Sequence, residues 1–189
     1  MKKTTEIATI DVNLVTVKSE KEAAEEYMLD TASQISVEPQ IETEDAVKLI
    51  VKGVLKAQKR ETNVLTGNQI TLTDNVFTPE LVQILQGGTI EYDSDGKTVT
   101  GYTPPLAGAN IEQEQFTLNA YSAQYNAAGE IVRYEKISYP NCTGQPVAFG
   151  AEDGTFRVNE YTIISAPDTG EPPYEITYVT ALPTVSPGL

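Results

Sequence analysis

The sequence predicts a mainly β protein, an antiparallel sandwich or barrel with one short flanking α-helix. Three observations carry that expectation. Short segments alternate apolar and polar residues with period two; turn residues rich in Gly, Asn and Asp separate them; and only one stretch, Thr78–Gln86, joins helix start and stop signals to an amphipathic spacing. At 189 residues the chain fits a single domain, because about 150 residues is the usual domain length. A domain of this size buries about 70% of the surface its unfolded chain exposes, so its core needs no staples.

The first strand is expected over Thr9–Val17, where Ile10, Val12 and Leu14 fall on one face. Gln34–Glu38 gives a short second strand that Pro39 is expected to stop. Between them, the Glu and Ala content of Glu20–Leu29 admits a helix. Ala46–Arg60 fits two patterns. Val47, Leu49, Val51, Gly53 and Leu55 alternate as in a strand, whereas Val47, Ile50, Val51, Val54 and Leu55 form a helical stripe. The density of Val and Ile and the central Gly53 favour a strand, with Lys48, Lys52 and Lys56 on its even face. Val64–Thr73 then returns as its partner after Glu61-Thr62-Asn63, and Thr66-Gly67-Asn68 reads as a bulge or a corner.

The helix over Thr78–Gln86 has Thr78 as N-cap, Pro79 at the first helical position and Glu80 in the first turn. Leu81, Ile84 and Leu85 share one face, and Gly87-Gly88 closes the far end. Ser94-Asp95-Gly96-Lys97 turns Thr89–Asp93 into Thr98–Thr103. Asn126-Ala127-Ala128-Gly129 joins Phe116–Tyr125 to Glu130–Tyr139 as a hairpin, with Gly129 placed for a positive φ. Glu152-Asp153-Gly154-Thr155 makes a third such turn, between Val147–Phe149 and Phe156–Ser165, and Tyr174–Ala181 is the last strand. No repeat of fixed period is present.

Composition then narrows function. Thirteen Lys and Arg stand against 27 Asp and Glu, a formal net charge of −14. That disfavours binding of free nucleic acid, since phosphate affinity comes from Lys and Arg releasing counterions. The chain has no His, which removes every His-based triad and His-ligated metal site. A single Cys, Cys142, excludes an intramolecular disulfide and a Cys₄ zinc site. Met1-Lys2-Lys3 is followed by no apolar run of signal length, and no window has the 18 or so apolar residues of a membrane span. The expectation is a protein made in a cytoplasm, with no membrane partner.

No stretch carries a catalytic signature. Asp93-Ser94-Asp95-Gly96 opens like a calcium loop, but the twelfth position holds Pro104 where a bidentate Glu is needed, so a hairpin tip is the better reading. Cys142 sits in Pro140-Asn141-Cys142-Thr143-Gly144 with its nearest base, Lys136, six residues away, and reads as a packed bystander thiol. Gln86-Gly87-Gly88-Thr89 lacks a phosphate loop's lysine and follows a helix where such a loop follows a strand. Paired carboxylates can hydrolyse glycosides, yet among 27 acids no pair is distinguished. No enzyme, catalytic residue, metal site or cofactor is therefore expected. Ten Tyr with no Trp, including Tyr121, Tyr125, Tyr134 and Tyr139 on the long hairpin, suit half-buried strand faces and interfaces.

The run Ile70-Thr71-Leu72-Thr73-Asp74-Asn75-Val76-Phe77-Thr78-Pro79-Glu80-Leu81, followed by Ile84-Leu85-Gln86-Gly87-Gly88, resembles the major tail tube proteins of tailed bacteriophages, the long-tailed siphophages in particular. Gly129 to Cys142, Asp153-Gly154-Thr155-Phe156-Arg157 and Pro172-Pro173-Tyr174-Glu175-Ile176 add to the resemblance, which spans roughly Glu42 to Pro183. It implies a sandwich or barrel-like core of the tail-tube type and six copies per ring, with rings stacked into the hollow tail tube of a virion. Part of each sheet would join its neighbours around the channel through which double-stranded DNA is delivered. Tape measure, tail terminator and baseplate or distal tail proteins are the implied partners, and assembly takes place in the host bacterial cytoplasm. Residues 1–45 would serve as an N-terminal arm or inter-ring loop, and 183–189 as a flexible C-terminal tail. A ring of six multiplies the −14 charge sixfold, and acidic walls would repel the phosphate backbone so that DNA slides without sticking. The competing expectation is a β-sandwich binding module for carbohydrate or protein, against which the lack of Trp argues mildly.

Overall fold

The computed structural model describes residues 7–21, 26–111 and 113–184. It is mainly β, with twelve strands and one short helix among the described residues. The main sheet has eight strands: β1 (Thr9–Ser19), β2 (Glu26–Leu29), β3 (Ala32–Glu44), β6 (Thr62–Asp74), β9 (Phe116–Tyr125), β10 (Ile131–Gly144), β11 (Asn159–Ser165) and β12 (Glu175–Val179). They run in the order β2-β1-β9-β10-β11-β6-β3, with β12 also paired to β10. Every pairing is antiparallel. Two small hairpins stand apart, β4 (Val47–Val51) with β5 (Val54–Lys59) and β7 (Thr89–Tyr92) with β8 (Val99–Thr103).

The sheet folds over on itself until β1 contacts β3, but β2 and β3 do not pair, so no barrel closes among the described strands. Between the two layers lie inward residues at every second position: Val15 and Val17, Ile70 and Leu72, Phe116 and Leu118, Tyr161 and Ile163. The burial has period two, but in β1 the inward residues are Val15 and Val17, where Ile10, Val12 and Leu14 were read as one face: the register shifts between Ile10 and Leu14, and Ile10 is exposed. Helix α1 (Pro79–Gln86) plugs one end of the layers with Leu81, Val82, Ile84 and Leu85. Burying such side chains stabilises by about 1.5–3 kcal/mol each, which is what fixes an eight-residue helix that would not form alone. Thr78 occupies the N-cap position, yet its side chain makes no capping bond, and Gly87 ends the helix by donating its N–H to the Gln83 carbonyl at 2.8 Å.

Gly144, at the end of β10, lies directly under the helix. A Cβ there would meet the Leu85 Cα at 2.4 Å and the Leu85 Cβ at 2.5 Å. Only a residue without a side chain lets helix and strand come this close.

Several elements differ from expectation. Glu26–Leu29 is strand β2, paired to β1 through Lys18↔Glu26 and Val15↔Leu29, where Glu20–Leu29 was read as a helix. Residues 22–25 of that stretch lie outside the described residues. Sheet pairing and burial of Leu29 override the favourable helix propensity of Glu and Ala, because tertiary context outweighs a few tenths of a kcal/mol per residue, on the order of the propensity scale. Strand β3 passes through Pro39 and reaches Glu44, because β3 is the last strand of the sheet and its outer side needs no N–H donor. Residues 9–19 and 26–44 belong to strands of the main sheet, with Val15, Val17 and Leu29 in its core, and of the stretch 1–45 read as an arm or loop only the part beyond Glu38 leaves the body among the described residues. Residues 1–6 of it lie outside the described residues, as do 185–189 of the expected tail.

Val64–Thr73 does not pair with Ala46–Arg60. It belongs to β6, which lies between β3 and β11, through Ile70↔Val37 and Ile70↔Ile163. The bulge at Thr66-Gly67-Asn68 does exist: Gln40 faces Gly67 and Ile41 faces Leu65, leaving Thr66 as the extra residue. Val147–Phe149 and Phe156–Val158 form no strand, and only β11 follows the Glu152–Thr155 turn. The hairpin of β9 and β10 is as expected. The Asn126 N–H donates to the Glu130 carbonyl at 3.0 Å, and the Gly129 N–H to the Asn126 carbonyl at 3.0 Å.

Candidate functional site

Beyond Glu38 the ribbon of β3 and β6 leaves the body. Every residue from Glu38 to Thr66 is exposed. The ribbon starts with Ile41↔Leu65 and ends with Glu44↔Thr62, and the β4–β5 hairpin completes it as a long two-stranded arm. Its root is tight: a Cβ on Gly67 would lie 2.3 Å from the Ser165 carbonyl oxygen of β11. Thr43 donates its hydroxyl to the Asn63 side-chain oxygen at 2.9 Å, and Lys59 pairs with Glu44 at 2.5 Å.

The tip turn is Lys52-Gly53, with φ of 49° and 77°. Two positive φ values in a two-residue loop match a type I′ hairpin, which follows the right-handed twist of its strands. Asn or Gly is the usual first residue of such a turn. A lysine there costs on the order of 1 kcal/mol, so the tip keeps a cation at some expense in backbone energy.

Apolar residues crowd this arm, and among the described residues nothing covers them. Val47, Leu49, Ile50, Val51, Val54 and Leu55 are between 42% and 64% exposed. The pairs Val47↔Lys59, Leu49↔Ala57 and Val51↔Val54 put Val47, Leu49, Val51 and Val54 on one face. Lys48↔Gln58 and Ile50↔Leu55 lie on the other, with Lys56 as a bulge. So Lys48, Lys52 and Lys56 do not share an even face: one is in a strand, one in the turn and one in the bulge. A lone two-stranded ribbon is marginal in water, and this one exposes apolar residues on both faces. Further open apolar surface occurs at Phe156, 98% exposed, and along β12, where Ile176 and Tyr178 are exposed and the outer edge of the strand is unpaired among the described residues.

Charge is sorted along the arm. Residues 38–45 hold four acids, Glu38, Glu42, Glu44 and Asp45, and no cation. Residues 46–60 hold Lys48, Lys52, Lys56, Lys59 and Arg60, and no acid. Taking the five cations of the tip from −14 leaves −14 − 5 = −19 for the rest of the chain. This sorting was legible in the sequence as a run without acids next to a run without cations, and period-two analysis alone passes over it.

The residues weighed for chemistry make contacts within the fold. Asp95 accepts hydrogen bonds from the backbone N–H groups of Lys97, at 2.8 Å, and Thr98, at 3.0 Å, and from the Thr98 hydroxyl. Those donors hold its carboxyl below the ordinary range and commit it to the turn. Among the described residues no group of three acids or thiols is placed to hold a metal ion. Gln86 accepts from the Val147 N–H at 2.8 Å and donates to the Tyr102 hydroxyl, which donates to the Gly87 carbonyl at 2.6 Å. The Gln86–Thr89 segment is thus a latch behind the helix. On the outer face of β1, β9 and β10, a groove of about 520 Å³ is lined by Lys18, Lys136, Glu171 and Glu175, among others, and these mixed charges select neither sign of ligand. Tyr121 and Tyr139 are buried, whereas Tyr125 is exposed at the hairpin end.

Cys142 is fully buried, and burial pushes its thiol from 9.0 up to about 12. Burial likewise raises Tyr139 from 10.0 to about 12. In both cases the folded state keeps a proton that the unfolded chain gives up sooner. Their contribution is whole below pH 9 for the thiol and below pH 10 for the phenol, and it is lost as pH rises towards 12. We expect unfolding free energy to fall above pH 9 by about 1.4 kcal/mol per pH unit for the thiol, steepening above pH 10. Urea midpoints at pH 8, 9.5 and 11 measure this, and Cys142→Ala should flatten the slope between pH 9 and 10. A flat wild-type profile would contradict the assignment.

No protein-family model matches the chain, and none of the curated proteins matches it. Among solved structures, a chain of the 6-fold symmetrised anti-feeding prophage baseplate is similar with a TM-score of 0.37 and 10% identity, over 95% of this chain and 98% of that one. A score of this size does not establish a common fold and carries no argument about function.

Proposed function

We propose that this protein is a structural subunit of a bacteriophage tail, a tail tube protein that assembles into stacked six-membered rings around a channel for viral DNA. The observation that carries the reading is the arm. Six large apolar side chains from Val47 to Leu55 are exposed on a ribbon that no other described part of the chain covers. At about 25 cal/mol per Å² of apolar surface, their burial between copies is a strong drive to associate. The open outer edge of β12 offers unpaired backbone groups that a neighbour's strand would satisfy. The resemblance of Ile70–Gly88 and Gly129–Cys142 to tail tube proteins supports the same conclusion. The −14 charge suits a conduit that DNA traverses without adhering. In this role the chain works as a virion component with no catalytic step, and its neighbours are its own copies, the tape measure, the tail terminator and the baseplate.

Negative-stain electron microscopy and sedimentation of the concentrated protein, alone and with tail components, test the proposal. Hollow tubes with six-fold end views are expected. A chain that stays monomeric in both conditions overturns it.

A further inference from the structure

We infer that the arms dock head to tail, the basic tip of one copy lying on the acidic arm base of the next. The inference rests on the arm being an assembly element, as proposed above, and adds which surfaces meet. The tip carries Lys48, Lys52, Lys56, Lys59 and Arg60, while the base carries Glu38, Glu42, Glu44 and Asp45. Two arms laid side by side in the same direction and register would set tip against tip and base against base, and like charges so placed repel. Sliding one arm along the other until tip meets base turns every such contact favourable. The Lys59–Glu44 pair at 2.5 Å already joins tip and base charges within one chain, at the boundary between the two zones.

The second observation is the apolar surface. Val47, Leu49, Val51 and Val54 lie on one face of the hairpin, and Ile50 and Leu55 on the other. One partner covers one face only. An antiparallel two-fold pair would satisfy the charges but close after two copies and leave the second face wet. A head-to-tail contact uses different patches on the two partners, so it continues into a ring or an array and covers both faces. The strained Lys52 turn fits as a third element, because it fixes a cation at the outermost point of the arm.

Charge exchange tests this on the full-length protein. The tip variant is Lys48→Glu with Lys56→Glu and Arg60→Glu, and the base variant is Glu38→Lys with Glu42→Lys and Asp45→Lys, so that the tip becomes net acidic and the base net basic. All six positions are exposed and outside the turn. Each variant alone is expected to raise the concentration needed for polymer by about tenfold or more. An equimolar mixture restores the wild-type threshold, because acidic tips then meet basic bases and basic tips meet acidic bases. Thermal melting shows that the variants are folded. Polymerisation of either variant alone at the wild-type threshold overturns the inference, as does a mixture of folded variants that stays dispersed, or a wild-type particle that stops at two copies. If the wild type forms no polymer at all, the functional reading itself falls and the docking mode with it.

Discussion

Gly144→Ala is expected to destabilise the protein by about 3 kcal/mol, the upper part of the range for overpacking a core. The added methyl would lie 2.4 Å from the Leu85 Cα. A clash with a flexible side-chain end could relax by rotation, but this one is with helix backbone. Relief requires α1 to lift from β10. Leu81, Val82 and Leu85, all fully buried, would lose contacts together. For a chain of this length the loss corresponds to a fall in melting temperature of roughly 10 °C. Gly150→Ala is the matched control, because a Cβ at Gly150 meets nothing within 4 Å. Calorimetry of the two variants decides the matter. Equal melting temperatures would show that the helix does not sit as described.

The opposite pattern is expected for Leu49→Ser combined with Ile50→Ser. Both residues are more than half exposed, and neither belongs to the core. The melting temperature of the dispersed protein should stay near the wild-type value, since changes away from buried features are usually within about 0.5 kcal/mol. Assembly should suffer badly. Each side chain contributes about 1.5–3 kcal/mol when buried, and 1.4 kcal/mol is a tenfold change in affinity. The threshold for polymer should therefore rise by roughly a hundredfold or more, read by sedimentation across a concentration series. Polymer formation at the wild-type threshold would mean that this surface is not the one copies share. The substitutions cross opposite faces of the hairpin, so the two single variants report on each face separately.

Local chemistry made much of this fold legible. Thr78-Pro79-Glu80 and Gly87-Gly88 bracket α1, and its boundary lies within one residue of expectation. The turn residues around Gly96 and Gly129 likewise locate two hairpins, because a tight turn is decided by a few adjacent residues. Pairing between distant segments was not legible. Val64–Thr73 has the alternation of a strand but nothing local that names its partners, and its neighbours are 30 residues before it and 90 after. Pro39 looked like a stop because its tolerance depends on β3 being the last strand, which is a property of the sheet. Glu26–Leu29 looked helical because two acids and two alanines precede Tyr27, while its conformation is set by pairing to β1.

The arm was half legible. The strand reading of Ala46–Arg60 agrees with β4 and β5, but the segment folds back on itself at Lys52-Gly53 where a return partner had been sought in Val64–Thr73. Exposure on both faces could not be read from residue types, since Val and Ile look the same whether a second layer covers them or water does.

The root of the arm sets a mechanical scale. Gly67 pressed against Ser165 and the extra residue at Thr66 fix the angle at which the ribbon departs. Ten residue steps lead from Ile41 to Val51, and at about 3.3 Å each they extend roughly 33 Å. A folded chain of this length is itself about 40 Å across. The lever thus spans nearly a whole neighbour, so a subunit inside an array would be gripped by its own reach and by that of the copy behind it. Subunits would then exchange from the free ends of the array, and its interior would resist extraction even where each single contact is weak.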